Sequence, residues 1–446
     1  MDVILTPTGD LHGNIAVPAD KAICHRAVFL ASLADGETII RPWPGADDCQ
    51  RTLELMEGLG VRISRVGNEV RILGRGTKML QGPSRELWCG ESGTTLRLAA
   101  GFIAGQQLRA RLNAGPSLCR RPMRRIIEPL TEMGARIDAK QSSANSAELY
   151  PPLTIHGSRS LRGIRYELPV ASAQVKSAIM LAAISANGSV TVIEPQATRD
   201  HTERMLLRAG ISVVREGSSI TIDPGQVAPL GVVELPGDVS SAAFFIVAAA
   251  CVIGSRITVH GVGLNPTRVG FINVLSRMGA QIKIDIIHEA WEPSGSISIE
   301  SQVLRGIAIP AAEVASIIDE LPVLMVAACC AQGTSRFEGL GELRLKETDR
   351  ISSMADGLSK LGARIRISSA DVVEIEGGGL RGALVESNGD HRSAMSLAVA
   401  GLAAEGSTTI RDAGCVSKSF PTFFETLRLL AGISSVKIVD NAPGLC

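Results

Sequence analysis

Aromatic residues are scarce: 9 Phe, 2 Tyr and 3 Trp make up 3% of 446 residues. That leaves little for the stacking platforms on which single-stranded nucleic acid is bound. Net charge is missing too, because Lys+Arg 45 balances Asp+Glu 45. The basic excess that grips a phosphate backbone is therefore absent, and no charge block marks a disordered tail. The longest apolar run, residues 242–253, falls short of the ~20 residues a membrane helix needs. No Cys-x-x-Cys pair occurs among the nine cysteines, Cys24, Cys49, Cys89, Cys119, Cys251, Cys329, Cys330, Cys415 and Cys446. An odd and scattered set argues against a disulfide framework or a structural zinc site and fits a reducing cytosol. Met1-Asp2-Val3-Ile4-Leu5 lacks the basic start of a signal peptide. The expectation is a cytoplasmic protein that uses no nucleic acid, membrane or metal.

What the chain does have is length and repetition. At roughly 100–200 residues per domain, its length allows two or three domains. A helix that ends in an apolar residue and glycine, then turns into a strand, recurs at Gly60, Gly134, Gly210, Gly279, Gly362 and Gly432. A second phrase, an Ala-rich helix closed by glycine, keeps the same beat at Gly36, Gly105, Gly188, Gly254, Gly333 and Gly406. Glycine suits the left-handed turn after a helix, and two interleaved series of six imply six copies of one unit. The Ala-rich helices are apolar nearly all round, as helices buried on every side must be. The pattern predicts an α/β protein of two domains, three units each, with sheets outside and Ala-rich helices within.

Only nine lysines stand against thirty-six arginines, and several lie in dense polar clusters. Pro18-Ala19-Asp20-Lys21-Ala22-Ile23-Cys24-His25-Arg26 precedes a helix expected over 27–33, placing Lys21 and Arg26 around a helix N-terminus that favours anions. Gly90-Glu91-Ser92-Gly93-Thr94-Thr95-Leu96-Arg97 lets backbone approach a small oxyanion, although it is not a P-loop. Arg120-Arg121-Pro122-Met123-Arg124-Arg125 offers planar forks for carboxylate or phosphate, with Pro122 expected in the first helical turn. Ser172-Ala173-Gln174-Val175-Lys176-Ser177 and Thr198-Arg199-Asp200-His201-Thr202 open further helices. Lys346-Glu347-Thr348-Asp349-Arg350 read as one helix sets two cations four residues apart, an arrangement that wants an anion between them. Asp319-Glu320, Asp390-His391-Arg392 and Lys418 complete the set, with carboxylates available for acid–base work near cations. Each cluster alone reads as easily as a capped helix or a solvated face. Together they put Arg, Lys or Ser at the start of inward-pointing helices and point to small, multiply anionic substrates.

At these strings the sequence resembles the 5-enolpyruvylshikimate-3-phosphate (EPSP) synthase family, nearly end to end over residues 17–421. The resemblance implies two domains of three βαβαββ units, an inside-out α/β barrel of the enolpyruvyl transferase type. The domains would be 20–235 and 1–19 plus 236–446, with the active site in the cleft between them. It implies transfer of enolpyruvyl from phosphoenolpyruvate to the 5-hydroxyl of shikimate 3-phosphate by a monomer that needs no cofactor or metal. Carried over residue by residue, Lys21, Ala22, Arg26, Ser172, Ala173, Gln174, Thr198, Arg199, Asp319 and Lys346 would meet shikimate 3-phosphate. Lys21, Gly93, Arg121, Gln174, Glu347, Arg350, Arg392 and Lys418 would hold phosphoenolpyruvate. Asp319 would take the hydroxyl proton, while Glu347 and Lys21 would handle protons at the methylene carbon.

Four positions depart from the family pattern. Ala19 replaces a glycine, Ala22 and Cys24 replace serines, and Glu91 replaces an asparagine. Loss of a hydroxyl at position 22 removes a contact worth ~1 kcal/mol. The altered 91–95 loop carries the expectation of glyphosate tolerance. The alternatives are the sister transferase acting on UDP-N-acetylglucosamine, a non-catalytic binding paralogue, and a transferase for a related substrate.

Overall fold

A helix with no polar face is stable only where its whole circumference is covered. Six helices of this kind run over Lys21–Leu33, Gly93–Ala104, Ala173–Ala183, Val239–Cys251, Leu321–Cys330 and His391–Ala403. In the computed structural model, which describes residues 1–7, 9–76, 80–141 and 147–439, every residue from Val239 to Ala250 is buried. Six further helices alternate with these: Asp47–Gly58, Arg124–Glu132, His201–Arg208, Gly270–Arg277, Arg350–Lys360 and Phe423–Ala431. They bury one face only, as their mixed composition dictates.

The buried helices start where the sequence supplies a cap. Asp20, Ser92, Ser172, Asp238 and Asp390 each accept a backbone N–H of the following turn. The sixth starts after Glu320 with Pro322 in its first turn, where a missing N–H costs nothing. Because Asp20 caps at once, the first helix begins at Lys21 rather than at residue 27, and Lys21 and Arg26 lie within it.

Among the described residues the strands make six four-stranded sheets of one design and one two-stranded sheet. In the second repeat Leu87–Trp88 runs parallel to Arg109–Asn113; Leu149–His156 is antiparallel to that strand and to Arg136–Gln141. This is a βαβαββ unit whose closing hairpin folds back beside its second strand. Three sheets take a strand from a distant stretch of chain. Gly231–Glu234 pairs with Asp35–Arg41, His12–Ala16 with Arg256–Gly263, and Asp2–Leu5 lies between Thr408–Arg411 and Val436–Val439. The chain divides into two compact units, Ala19–Leu235 and Met1–Pro18 with Pro236–Cys446. No closed barrel forms among the described residues, because each hairpin ends in an unpaired edge strand.

All six glycines of the first series have positive φ, from +78° to +107°. In the second series Gly105 differs, with φ −82°, because it caps its helix in a right-handed bridge conformation. The eight described cysteines are free, and Cys446 lies outside the described residues. Among the described residues no helix is long and apolar enough to cross a membrane. Nor do three or more His, Cys, Asp or Glu side chains gather in a way that could hold a metal ion.

Small residues set the spacing of the buried helices. A Cβ on Gly101 would sit 2.0 Å from the carbonyl oxygen of Ala178 on the neighbouring buried helix. Gly101→Ala should therefore cost at least the upper end of the about 1–3 kcal/mol typical of overpacking, read from urea unfolding midpoints. A loss below ~1 kcal/mol would show that the two helices part easily.

Candidate active site

In the unit Ala19–Leu235 the polar residues gather at the starts of its three buried helices. Lys21, the first helical residue, donates from Nζ to Asp48 Oδ2 at 2.9 Å, and both side chains are largely covered. Arg26, one turn on, is buried; it donates to Thr202 Oγ1 at 2.6 Å, Ser177 Oγ at 2.8 Å and the Ala22 carbonyl at 2.8 Å. Gly93 opens the second buried helix and lies under Arg121. A Cβ there would meet Arg121 Nη1 at 2.7 Å, so the absent side chain makes room for the guanidinium. Gln174 accepts from Arg97 Nη1 at 2.6 Å and donates to Thr94 Oγ1 at 2.9 Å, tying the third helix start to the second. Ser172 caps the third helix and Ala173 begins it.

In the other unit one buried arginine organises the site. Arg350 is 1% exposed and donates from Nε to Asp390 Oδ2 at 2.8 Å and from Nη2 to Glu347 Oε2 at 2.5 Å. Its Nη1 lies 3.6 Å from Asp319 Oδ1. Burial alone would lower the guanidinium pKa, but the carboxylates of Asp390, Glu347 and Asp319 outweigh it and hold the group charged. Arg392 approaches Asp319 from the other side, 2.9 Å from its carbonyl and 3.4 Å from Oδ2. Asp390 also accepts the Arg392 and Ser393 N–H groups as helix cap, so one carboxylate fixes both arginines. Lys418 donates to the Gly389 carbonyl at 2.8 Å, immediately before that cap.

Two sequence expectations change here. Lys346 and Arg350 do not share a helical face. Asp349 caps its helix by accepting Ser352 N–H, so the helix begins at Arg350 and Lys346 stays extended upstream. Pro122 precedes the cap residue Met123 instead of occupying the first turn. Thr198, expected to meet shikimate 3-phosphate, is buried and donates its hydroxyl to Glu194 Oε2 at 2.8 Å. Arg199 follows it just before the helix His201–Arg208.

Other functional partners carried little signal. Asp48 is one of two adjacent aspartates with nothing in the sequence to tie it to Lys21. The string Asp390-His391-Arg392 does not reveal that Asp390 joins two arginines. Arg97 and Lys176 were also within noted strings, and their depth below the surface was invisible.

The family model for EPSP synthase (3-phosphoshikimate 1-carboxyvinyltransferase) matches residues 5–427. The chain belongs to the EPSP synthase family. The 3-phosphoshikimate 1-carboxyvinyltransferase of Bacillus cereus strain B4264 is 45% identical over 423 residues, 94% of this chain and 97% of that one. The enzyme of that name from Nitrosococcus oceani is 46% identical over 427 residues, 95% of each chain. A solved EPSP synthase from Acinetobacter baumannii superposes with a TM-score of 0.85 at 38% identity, covering 98% of this chain and 100% of that one. The enolpyruvyl transferase NikO from Streptomyces tendae shares the fold at a TM-score of 0.78 and 16% identity, covering 99% of each chain.

Against the EPSP synthase family pattern, two of the four departures, Glu91 and Cys24, meet partners in the structure. Glu91 accepts the N–H of Leu118 at 2.8 Å and of Ser117 at 3.3 Å, capping the turn that leads to Arg121. Its carboxylate is spent on backbone donors and packs against Gly115, which has no side chain to obstruct it. Cys24 lies beside Cys49, whose thiol burial pushes well above its usual range, with Cys24 adding to the shift. The Arg350 hub makes a direct stability prediction. Arg350→Met removes the buried cation shared by three carboxylates and should lower unfolding free energy by about 3–5 kcal/mol, measured by chemical denaturation. A loss under ~1 kcal/mol would show that the carboxylates find other partners.

Proposed function

We propose that this chain transfers the enolpyruvyl group of phosphoenolpyruvate to the 5-hydroxyl of shikimate 3-phosphate and releases phosphate. The observation that carries the reading is Asp319: a partly open carboxylate held between Arg350 and Arg392, with Glu347 on the same arginine. Two carboxylates in one cationic frame can take a proton from one atom and give a proton to another. In this reading a proton reaches the methylene carbon of phosphoenolpyruvate from Glu347, with Lys21 sharing the work. The 5-hydroxyl oxygen attacks the neighbouring carbon and passes its proton to Asp319, giving a tetrahedral intermediate. The intermediate returns a methyl proton to the Glu347 carboxylate and expels its phosphate, leaving the enolpyruvyl ether and the acid restored.

Binding follows the same charges. Arg350 and Arg392 are already matched by Asp319, Glu347 and Asp390, so the anionic substrates need further cations. Lys418, Lys346, Lys21, Arg121 and Arg199 supply them, and each charge-assisted contact is worth ~1.5–3 kcal/mol. Gly93 and Gln174 hold phosphoenolpyruvate beside Arg121, while Arg26, Ser172, Ala173 and the backbone at Ala22 serve shikimate 3-phosphate. The assignment draws on both units. We place the enzyme in the cytoplasm as a monomer acting on two small molecules, without nucleic acid, membrane or cofactor. The free thiols and zero net charge support that placement.

The test is phosphate release from the purified protein with both substrates and with each omitted. Release that needs both is the expected result. A folded protein that binds shikimate 3-phosphate yet releases none would be the non-catalytic paralogue. Asp319→Asn should slow release by about 10²–10⁴-fold, the usual range for a lost acid–base group. Near-normal turnover would remove Asp319 from the role of base. Glyphosate tolerance is tested in the same assay, where inhibition at low micromolar concentration would refute it.

A further inference from the structure

Away from the arginine hub, the unit Ala19–Leu235 contains a buried ammonium that the proposed reaction does not use. Lys176 lies on the helix Ala173–Ala183 and is 0% exposed. Its Nζ is 3.0 Å from Glu194 Oε2, 2.6 Å from Glu203 Oε1 and 3.4 Å from the Thr198 carbonyl oxygen. Glu194, itself buried, also accepts Thr198 N–H at 3.1 Å, Thr198 Oγ1 at 2.8 Å and Arg215 Nη2 at 2.8 Å. Burial would raise the Glu194 pKa, but Lys176, Arg215 and Thr198 together hold it below the usual range, so the carboxylate stays ionised.

Burying such a cluster seldom adds net stability, because desolvating the ions cancels most of their attraction. Its geometry suggests another use. Three segments meet at one ammonium: the helix that begins Ala173-Gln174, the turn from Glu194 to Thr198, and the helix His201–Arg208 that carries Glu203. The first two bear residues assigned to shikimate 3-phosphate. Thr198 spends its hydroxyl and N–H on Glu194, which leaves Arg199 as the neighbouring side chain with an assigned role.

We propose that Lys176 and Glu194 are positioning residues for shikimate 3-phosphate, fixing the Thr198–Arg199 turn at a set distance from the Ser172–Gln174 helix start. This rests on the functional reading above. Thr198 then serves the site from within and is not itself a ligand. The network would hold both segments in place before substrate arrives, leaving less ordering to binding.

The test compares the wild-type protein with Lys176→Met and with the double variant Lys176→Met, Glu194→Gln, which removes the opposed charges together should the single variant fail to fold. Equilibrium binding of shikimate 3-phosphate alone is measured by calorimetry, and both KM values and kcat by phosphate release. Affinity and KM for shikimate 3-phosphate should worsen by about tenfold to a hundredfold, the scale of a misplaced binding group. KM for phosphoenolpyruvate and kcat should stay within about threefold, as expected where only one substrate's uniform binding is lost. Unchanged shikimate 3-phosphate affinity in a folded variant, or equal rises in both KM values, would overturn the proposal alone. A wild-type protein that does not bind shikimate 3-phosphate would overturn the functional reading and this proposal with it.

Discussion

A helix buried on all sides must still satisfy its first backbone N–H groups, and no bulk water is there to help. Five of the six inner helices meet that demand with an Asp or Ser side chain, and one with a proline in its first turn. The remaining donors and the positive end of the helix dipole attract negative charge. It is at these ends that Lys21, Gly93, Gln174, Asp319 and Arg392 are found. The same constraint that shapes the core thus selects anions as the natural ligands of this fold.

Charge is arranged in layers around those ends. Asp390 shows the principle most clearly, because one buried carboxylate caps a helix and also anchors Arg350. Arg350 in turn holds Glu347 and Asp319, the two groups with proposed proton roles. Moving any member would shift the others, so the proton roles proposed for the two carboxylates depend on the whole set.

Much of this was legible in the residues. The interleaved glycine series marked six units, and the apolar Ala-rich stretches marked what lies inside. Cluster strings such as Lys-Glu-Thr-Asp-Arg located the site and carried the family resemblance. What the sequence could not convey was local competition between caps. Asp20 and Asp349 each start a helix earlier or later than hydrophobic spacing implies, which moves Lys21 into a helix and Lys346 out of one. Partners distant in sequence were equally hidden: nothing links Lys21 to Asp48, or Lys176 to Glu194, until the chain folds. Glu91 stands in a loop expected to meet a small oxyanion, and only the turn at Ser117 and Leu118 shows where its carboxylate is spent.

The exchanged strands also impose an order of events. The unit Ala19–Leu235 is one continuous stretch of chain, and its last strand, Gly231–Glu234, completes the sheet begun by Asp35–Arg41. It can finish as soon as its own residues have left the ribosome. The strand Asp2–Leu5 is made long before its partners Thr408–Arg411 and Val436–Val439. Contacts so far apart in sequence form slowly. While the intervening chain is made, Asp2–Leu5 therefore waits as an unpaired strand, in need of protection from the wrong neighbours.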